Sequence, residues 1–312
     1  MAHLIKLEDY TSRYQQDIQR YLSQFSRLKK ERWENMKRDW IKANRKMDET
    51  AEETLDDWLE ERENGIIHAA VNRLKNFSGR QRWNEKTMEI EMEDELMFYE
   101  GKTLDEVKEL FFEDLFSAQL RWASASMLEE SRMDPKYKYD QTLRFLVRQL
   151  PDNYMIMYYP VFSVGKAPLE MDIIILAPTE VYCLTMLTGE TNSVFETSSG
   201  RYWNEYVHQS RNRRVNPVLS LNRMSSVINS LFKEHSSSLD VRRVVWAPSS
   251  IIDHRAAGMK AEMVDKRNHQ EWFDKRKKNP SPVKKNQLYA AELFLQQTQT
   301  TSFRRRDFME EE

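Results

Sequence analysis

The chain has 312 residues, with 48 Lys plus Arg against 50 Asp plus Glu, a length that suggests two domains at about 150 residues each. A hydrophobic share of 40% beside 31% charged residues can build a core and is too apolar for a disordered chain, and seven glycines exclude glycine-rich and collagen-like architectures. The single cysteine, Cys183, excludes a disulfide framework and a cysteine zinc site. The opening MAHLIKLEDY lacks the apolar stretch of a signal peptide, and no run approaches the ~18 apolar residues of a membrane span. A soluble cytoplasmic protein with no membrane partner is expected.

All nine prolines fall at Pro135 or later, and the first 134 residues hold only Gly65, Gly79 and Gly101. A proline-free, glycine-poor stretch rich in Glu, Lys, Arg, Leu and Met is what helices require. Tyr10, Tyr14, Ile18, Tyr21, Phe25 and Leu28 recur at intervals of three and four, and a second register runs through Trp33, Met36, Trp40, Ala43 and Met47. The spacing predicts one long helix or a helical hairpin over residues 4–63, stopped at Asn64-Gly65, then helices over residues 66–76 and 103–130. Thr103 and Glu106 fit a capping box. Residues 1–140 carry 24 basic and 31 acidic side chains, net −7; residues 141–312 carry 24 and 19, net +5. Halves of opposite sign attract each other or face different partners.

After Pro135 the texture changes. Leu143, Leu146, Val147 and Leu150 form one face of a helix over residues 139–150, and strand-like runs follow at 154–162, 171–176 and 181–187. The last two are separated by the turn-length Ala-Pro-Thr-Glu and read as a hairpin. Asn216 caps a helix that Pro217 opens, with Leu221, Met224, Ile228 and Leu231 on its buried face, and residues 241–246 (VRRVVW) read as a further strand. The order α-β-β-β-α-β predicts a layered structure with a mixed sheet, the hairpin antiparallel and the last crossover parallel. Beyond His254 a basic linker (Lys275, Arg276, Lys277 and Lys278, then Lys284 and Lys285) leads to a short apolar helix with Leu288, Ala291, Leu293 and Phe294. The end, through Arg304-Arg305-Arg306 to Glu310-Glu311-Glu312, reads as frayed. Three segments result: an acidic all-helical domain over 1–135, built as a coiled coil or bundle, an α/β domain over 136–253, and a basic, partly helical extension over 254–312.

Asp is disfavoured inside strands, yet Asp172 adjoins Ile173-Ile174-Ile175-Leu176. Such an acid can hold a divalent metal at a sheet edge, where a second carboxylate and a lysine complete a phosphodiester-cleaving site. Taken alone, an acid at a solvated strand end is the stronger reading. The order of pieces over about residues 138–250, however, resembles the nuclease-related domain (NERD) family, which is similar in fold to the restriction-endonuclease-like nucleases. The matching pieces are residues 143–151, Glu170-Met171-Asp172-Ile173-Ile174, Val181-Tyr182-Cys183-Leu184, Trp203, Asn216-Pro217 and VRRVVW. The resemblance implies Glu170 and Asp172 as catalytic positions, Asp172 and Asp140 as metal ligands, and a restriction-endonuclease-like mixed sheet between the helical arm and the tail. The family's Glu-x-Lys falls on Thr185-Met186-Leu187, and its glutamine after Asn-Pro on Ser220. Groups of that electrostatic kind are each worth roughly 10²–10³ in rate, so ordinary turnover is not expected. No cofactor is expected either; Mg²⁺ or Mn²⁺ enters only where residual nuclease activity exists.

Other enzyme readings are weaker. The six histidines form no metal-binding spacing, Asp253-His254 reads as a solvated loop pair, Cys183 reads as strand core, and no phosphate loop, dinucleotide fingerprint or Gly-x-Ser-x-Gly is present. Nucleic-acid binding survives the loss of catalysis. Residues 201–312 carry 21 basic and 13 acidic side chains, net +8. Arg211, Arg213 and Arg214 precede the Asn216 helix, with Arg201, Tyr202, Trp203 and Tyr206 nearby; Lys275, Arg276, Lys277 and Lys278 form a second cluster. Basic and aromatic residues together suit phosphate contact and base stacking; the structural alternatives are a solvated loop over sheet-packed aromatics and a flexible charged tail. The expected function is thus a catalytically degenerate nuclease-related protein that binds nucleic acid, DNA in the first instance, or works in a DNA-associated complex. The alternatives are a scaffold that binds a protein partner through residues 1–135, with Trp33, Trp40 and Trp58 as anchors, and a residual metal-dependent nuclease. No feature of the chain specifies an oligomeric state.

Overall fold

In a computed structural model, which describes residues 1–44, 98–164, 167–208, 210–235, 239–253 and 260–304, backbone pairing gathers six strands into one mixed sheet. In chain order the strands are β1 (His3–Leu7), β2 (Glu129–Glu130), β3 (Met155–Tyr158), β4 (Val161–Val164), β5 (Ala167–Glu170), β6 (Ile173–Leu176), β7 (Glu180–Met186), β8 (Val194–Glu196), β9 (Tyr202–Val207), β10 (Ser210–Val215), β11 (Asp240–Ala247), β12 (Ile251–Asp253), β13 (Glu262–Asp265) and β14 (Phe303–Arg304). The helices are α1 (Ile18–Ala43), α2 (Leu104–Trp122), α3 (Gln141–Gln149), α4 (Pro217–Glu234), α5 (His269–Lys277) and α6 (Lys285–Gln297). The predicted stop at Asn64-Gly65, the helix over 66–76, Trp58, His254 and the charged end beyond Arg304 lie outside the described residues. None of the described helices is long and apolar enough to cross a membrane.

The central sheet runs β1-β3-β6-β7-β11-β13. The Ala-Pro-Thr-Glu hairpin is present: β6 and β7 pair antiparallel from Ile173↔Leu184 to Leu176↔Val181. The α4 crossover then returns the chain to β11, parallel to β7. Both results follow from the turn chemistry and from the length that a parallel return demands. A four-stranded second sheet, β10-β9-β8-β12, was not anticipated. The single strand expected over 154–162 is instead two, because Tyr159 takes a positive φ of 50° and Pro160 has no N–H to give a ladder.

The predicted helix over residues 4–63 requires correction at its start. Residues His3–Leu7 form β1, a fully buried strand parallel to β3. Five apolar-rich residues buried on both faces carry no period that tells strand from helix. Met1–Tyr21 and Gln119–Glu312 make one compact unit and Leu22–Ala118 another. Within the second unit, Trp33 meets Phe111 with ring centroids 5.0 Å apart, Arg32 pairs with Asp114 at 2.5 Å, and the Trp40 indole donates to the Lys102 carbonyl at 2.8 Å. Thr103 and Glu106 form the predicted capping box, with the Thr103 amide donating to Glu106 Oε2 at 2.7 Å. Trp33 and Trp40 are core residues, 1% and 5% exposed, and so are withdrawn as exposed anchors for a partner.

Asn216 does more than cap α4. Its Oδ1 accepts from the Val218 amide at 3.0 Å, while its Nδ2 donates to the Ser198 and Gly200 carbonyls at 3.2 and 2.8 Å. The loop before β9 is thereby fastened to the helix start. Asn216→Ala is expected to cost about 2 kcal/mol, the upper end for a lost cap, whereas Asn216→Asp keeps the cap and loses only the donor. Chemical denaturation of the two variants checks this: equal losses would mean that the cap carries no part of the effect.

Candidate nucleic-acid interface and the Asp172 cluster

Asp172 sits immediately before β6, half-buried, and its Oδ2 accepts from Thr185 Oγ1 at 2.5 Å and from Ser220 Oγ at 2.8 Å. Three elements supply these groups: the lead into β6, the end of β7 and the first turn of α4. Thr185 and Ser220, on separate elements, thus both end on the same carboxylate oxygen. Leu187 is buried, with its amide donating to the Trp246 carbonyl at 2.8 Å.

Asp140 is the N-cap of α3, Oδ1 accepting from the Leu143 amide at 2.9 Å and Oδ2 from the Tyr158 hydroxyl at 2.9 Å. Burial, with the charge of Asp172 and a smaller contribution from Asp140, raises the Tyr159 phenol above its ordinary pKa. Glu170 is exposed at the end of β5, in the separate two-stranded sheet β4–β5, and does not share a hydrogen bond with Asp172. A divalent cation such as Mg²⁺ wants carboxylate oxygens and water in octahedral array. The donors around Asp172 are two neutral hydroxyls, both oxygens of Asp140 already accept hydrogen bonds, and no group of three or more His, Cys, Asp or Glu gathers among the described residues. This set does not fit a catalytic divalent metal.

The basic cluster before α4 is a strand rather than a loop. β10 pairs antiparallel with β9 in the register Arg211↔Tyr206, Arg213↔Asn204 and Arg214↔Trp203. Strand alternation therefore divides the three arginines. Trp203 and Glu205 point into the core, and Arg214, itself exposed, lies on their side of the sheet with its Nε 2.6 Å from Glu205 Oε2. Burial opposes ionisation of Glu205, but the Arg214 bond and the Glu190 amide outweigh it and hold the carboxyl below its usual range. Gly189 leaves the space this needs, since a Cβ there would stand 2.7 Å from Glu205 Oε1 and 2.6 Å from Phe195. Trp203, expected to stack on bases, is fully buried, its indole donating to the Ser198 carbonyl at 3.0 Å.

The outward face holds what remains. Arg211 lies 5.9 Å from the Tyr206 ring centre, and Arg213 and Arg201 lie 5.9 and 5.7 Å from that of Tyr202. Tyr202 and Tyr206 are 42% and 39% exposed. The three arginines are exposed and form no salt bridge among the described residues. Tyr206 is held by its hydroxyl, which donates to Glu196 Oε2 at 2.9 Å. Sequence reasoning grouped Tyr202 and Tyr206 with Trp203 without separating them, although a signal was there: in Tyr202-Trp203-Asn204-Glu205-Tyr206 the tyrosines alternate with the two core residues.

The second basic cluster is helical. Lys275, Arg276 and Lys277 end α5, and Lys278 is its C-cap, so the expected linker begins later. Arg276 is stacked 3.3 Å over Trp272 and 4.8 Å from Tyr182, within 3.6 Å of Glu262. Lys277 pairs with Asp274 at 3.7 Å. Lys275 remains exposed, beside a shallow cleft of about 630 Å³. Burial pushes the Cys183 thiol up to about 12, consistent with a core role.

No family model matches the chain, and no solved structure matches it. It is 33% identical over 120 residues to a protein of Geobacillus stearothermophilus named RNA 2',3'-cyclic phosphodiesterase. The similarity covers 38% of this chain and 36% of the relative, so the chain spans little more than a third of the curated relative it matches.

Proposed function

We propose that this chain is a catalytically degenerate nuclease-related-domain protein whose α/β unit binds nucleic acid through the outer face of β9 and β10. The observation that carries this reading is the face itself: three exposed arginines that form no salt bridge among the described residues, set against two exposed tyrosines on a hydrogen-bonded sheet edge. Guanidinium groups neutralise phosphate, and tyrosine rings offer a surface to bases. The name of the Geobacillus relative, which speaks of RNA, adds support for a polynucleotide ligand. The Asp172 cluster supports the loss of catalysis, because two neutral hydroxyls converge on one oxygen of the carboxylate where a second carboxylate and a lysine would be needed.

A native gel series tests both halves. The protein is incubated with labelled RNA and DNA, with Mg²⁺, Mn²⁺ or EDTA, over about 50–200 mM salt, and half of each sample is deproteinised. The expected result is a shift that weakens steeply with salt, and intact strands in every deproteinised lane. Cleavage that needs metal and disappears in Asp172→Ala would overturn the pseudoenzyme half. Absence of any shift would overturn the binding half.

A further inference from the structure

We infer that the β9–β10 face takes single-stranded rather than duplex nucleic acid, with unpaired bases on Tyr202 and Tyr206 and the phosphate chain along Arg211 and Arg213. This rests on the binding function proposed above and specifies its ligand. Three observations favour a single strand.

The first is the spacing of the rings. Tyr202 and Tyr206 are four residues apart on one strand and face the same way, which separates them by roughly 13 Å. Neighbouring bases of one duplex strand are only about 3.4 Å apart. Two bases that rest on these rings are therefore not neighbours in a stacked helix, and an unpaired strand has to run extended between them, with Asn204 beneath it. A duplex, with its bases turned inward, cannot use the rings at all.

The second is the distribution of charge across the sheet. The arginines lie on β10, the edge strand, and immediately before β9. Toward the other edge, Glu196 on β8 accepts from Asn204 and from the Tyr206 hydroxyl, and Asp253 on β12 pairs with it in register. One phosphate chain can follow the basic edge. A duplex laid over the face would bring its second chain across the acidic side.

The third is the posture of the side chains. Each arginine already lies within 6 Å or so of a ring centre, as in a cation–π pair, and Tyr206 is anchored through its hydroxyl. Rings and cations held in this way need little further ordering when a strand arrives.

The test is fluorescence anisotropy of the full chain with labelled oligo(U) and oligo(dT) of about a dozen nucleotides and with a duplex of equal length, at one salt concentration. Single strands are expected to bind at least tenfold more tightly than duplex. Tyr202→Ala or Tyr206→Ala is expected to lower single-strand affinity by about tenfold, in keeping with the loss of a base stack, while Tyr206→Phe keeps most of it. Duplex binding as tight as single-strand binding, or tyrosine variants that bind like the parent, would overturn this inference and leave the proposed function standing. If neither ligand binds, both fall.

Discussion

Reversing Arg211 and Arg213 together to glutamate is expected to lower nucleic-acid affinity by about 10²-fold and to leave the stability of the protein within about 0.5 kcal/mol of the parent. Both side chains are exposed, both sit on the outward side of an edge strand, and neither contributes a core contact. Each phosphate they neutralise adds about 0.7 to the salt slope on a single strand and about 0.9 on a duplex. Removing two should therefore lower the slope by about 1.4 on a single strand and make the residual binding markedly less salt-sensitive. Arg214→Ala is the informative contrast. It directly follows Arg213 in sequence with its charge close by, but its guanidinium serves Glu205, whose side chain is fully buried. Leaving that carboxylate without its partner should destabilise the second sheet by more than 1 kcal/mol and affect binding only through folding. Titrations over salt, paired with urea denaturation, separate the two outcomes. Equal binding losses for Arg214→Ala and Arg213→Ala at equal stability would mean that the arginines act as an undivided cluster, and the face described here would be wrong.

That contrast also marks how far the sequence could be read. The elements with strong local signals are present: Asp140 and Asn216 cap their helices, Thr103 and Glu106 close their box, and Ala-Pro-Thr-Glu turns β6 into β7. Each rests on residues within four positions of one another, where propensity and capping chemistry decide the outcome. The missed elements depend on distant partners. β1 is a strand only because β3 lies beside it, more than a hundred residues later in the chain. The second sheet is built from strands of three to six residues whose pairing no local rule specifies. Composition put the basic and aromatic residues of 201–214 in one cluster without dividing them, because a cluster seen as a loop has no inside and outside. Once the segment is a strand, alternation buries Trp203, puts Arg214 on the Glu205 side, and leaves Tyr202, Tyr206, Arg211 and Arg213 on the opposite, exposed face. The convergence at Asp172 was legible only as a set of departures. Thr185 and Ser220 lie 35 positions apart by their numbers, and that both donate to one oxygen is a consequence of the sheet and the α4 crossover.

The largest effect on folding is expected at Lys6, in a strand whose other members are buried with it. Its ammonium donates to the Tyr10 carbonyl at 2.7 Å, the Gln299 carbonyl at 2.8 Å and Thr300 Oγ1 at 3.2 Å, so all three protons are used and two distant parts of the chain are held together. The neighbouring Thr301 hydroxyl and amide donate to Asp9 at 2.5 and 2.7 Å, which completes the fastening. Lys6→Ala leaves two part-buried carbonyls without their donor and a cavity in a buried strand, and a loss of about 3–5 kcal/mol is expected. The pH dependence gives a finer test. Burial lowers the Lys6 pKa from 10.5 to about 7, against the opposing pull of the Asp9 charge. Below pH 7 the group is protonated in both native and unfolded chains, and the full cost of burying the charge is present. Between pH 7 and 10.5 the unfolded chain holds a proton that the native chain has released, so the contribution of Lys6 to stability rises with pH. Lys6→Met, which keeps most of the volume and cannot titrate, should abolish that rise while costing about 2 kcal/mol at pH 9 for the carbonyls left without a donor. Urea midpoints at pH 6, 7.5 and 9 for the parent and for Lys6→Met measure both quantities. Parallel pH profiles for the two proteins would show that Lys6 stays charged in the native state, its three hydrogen bonds then outweighing the cost of burial.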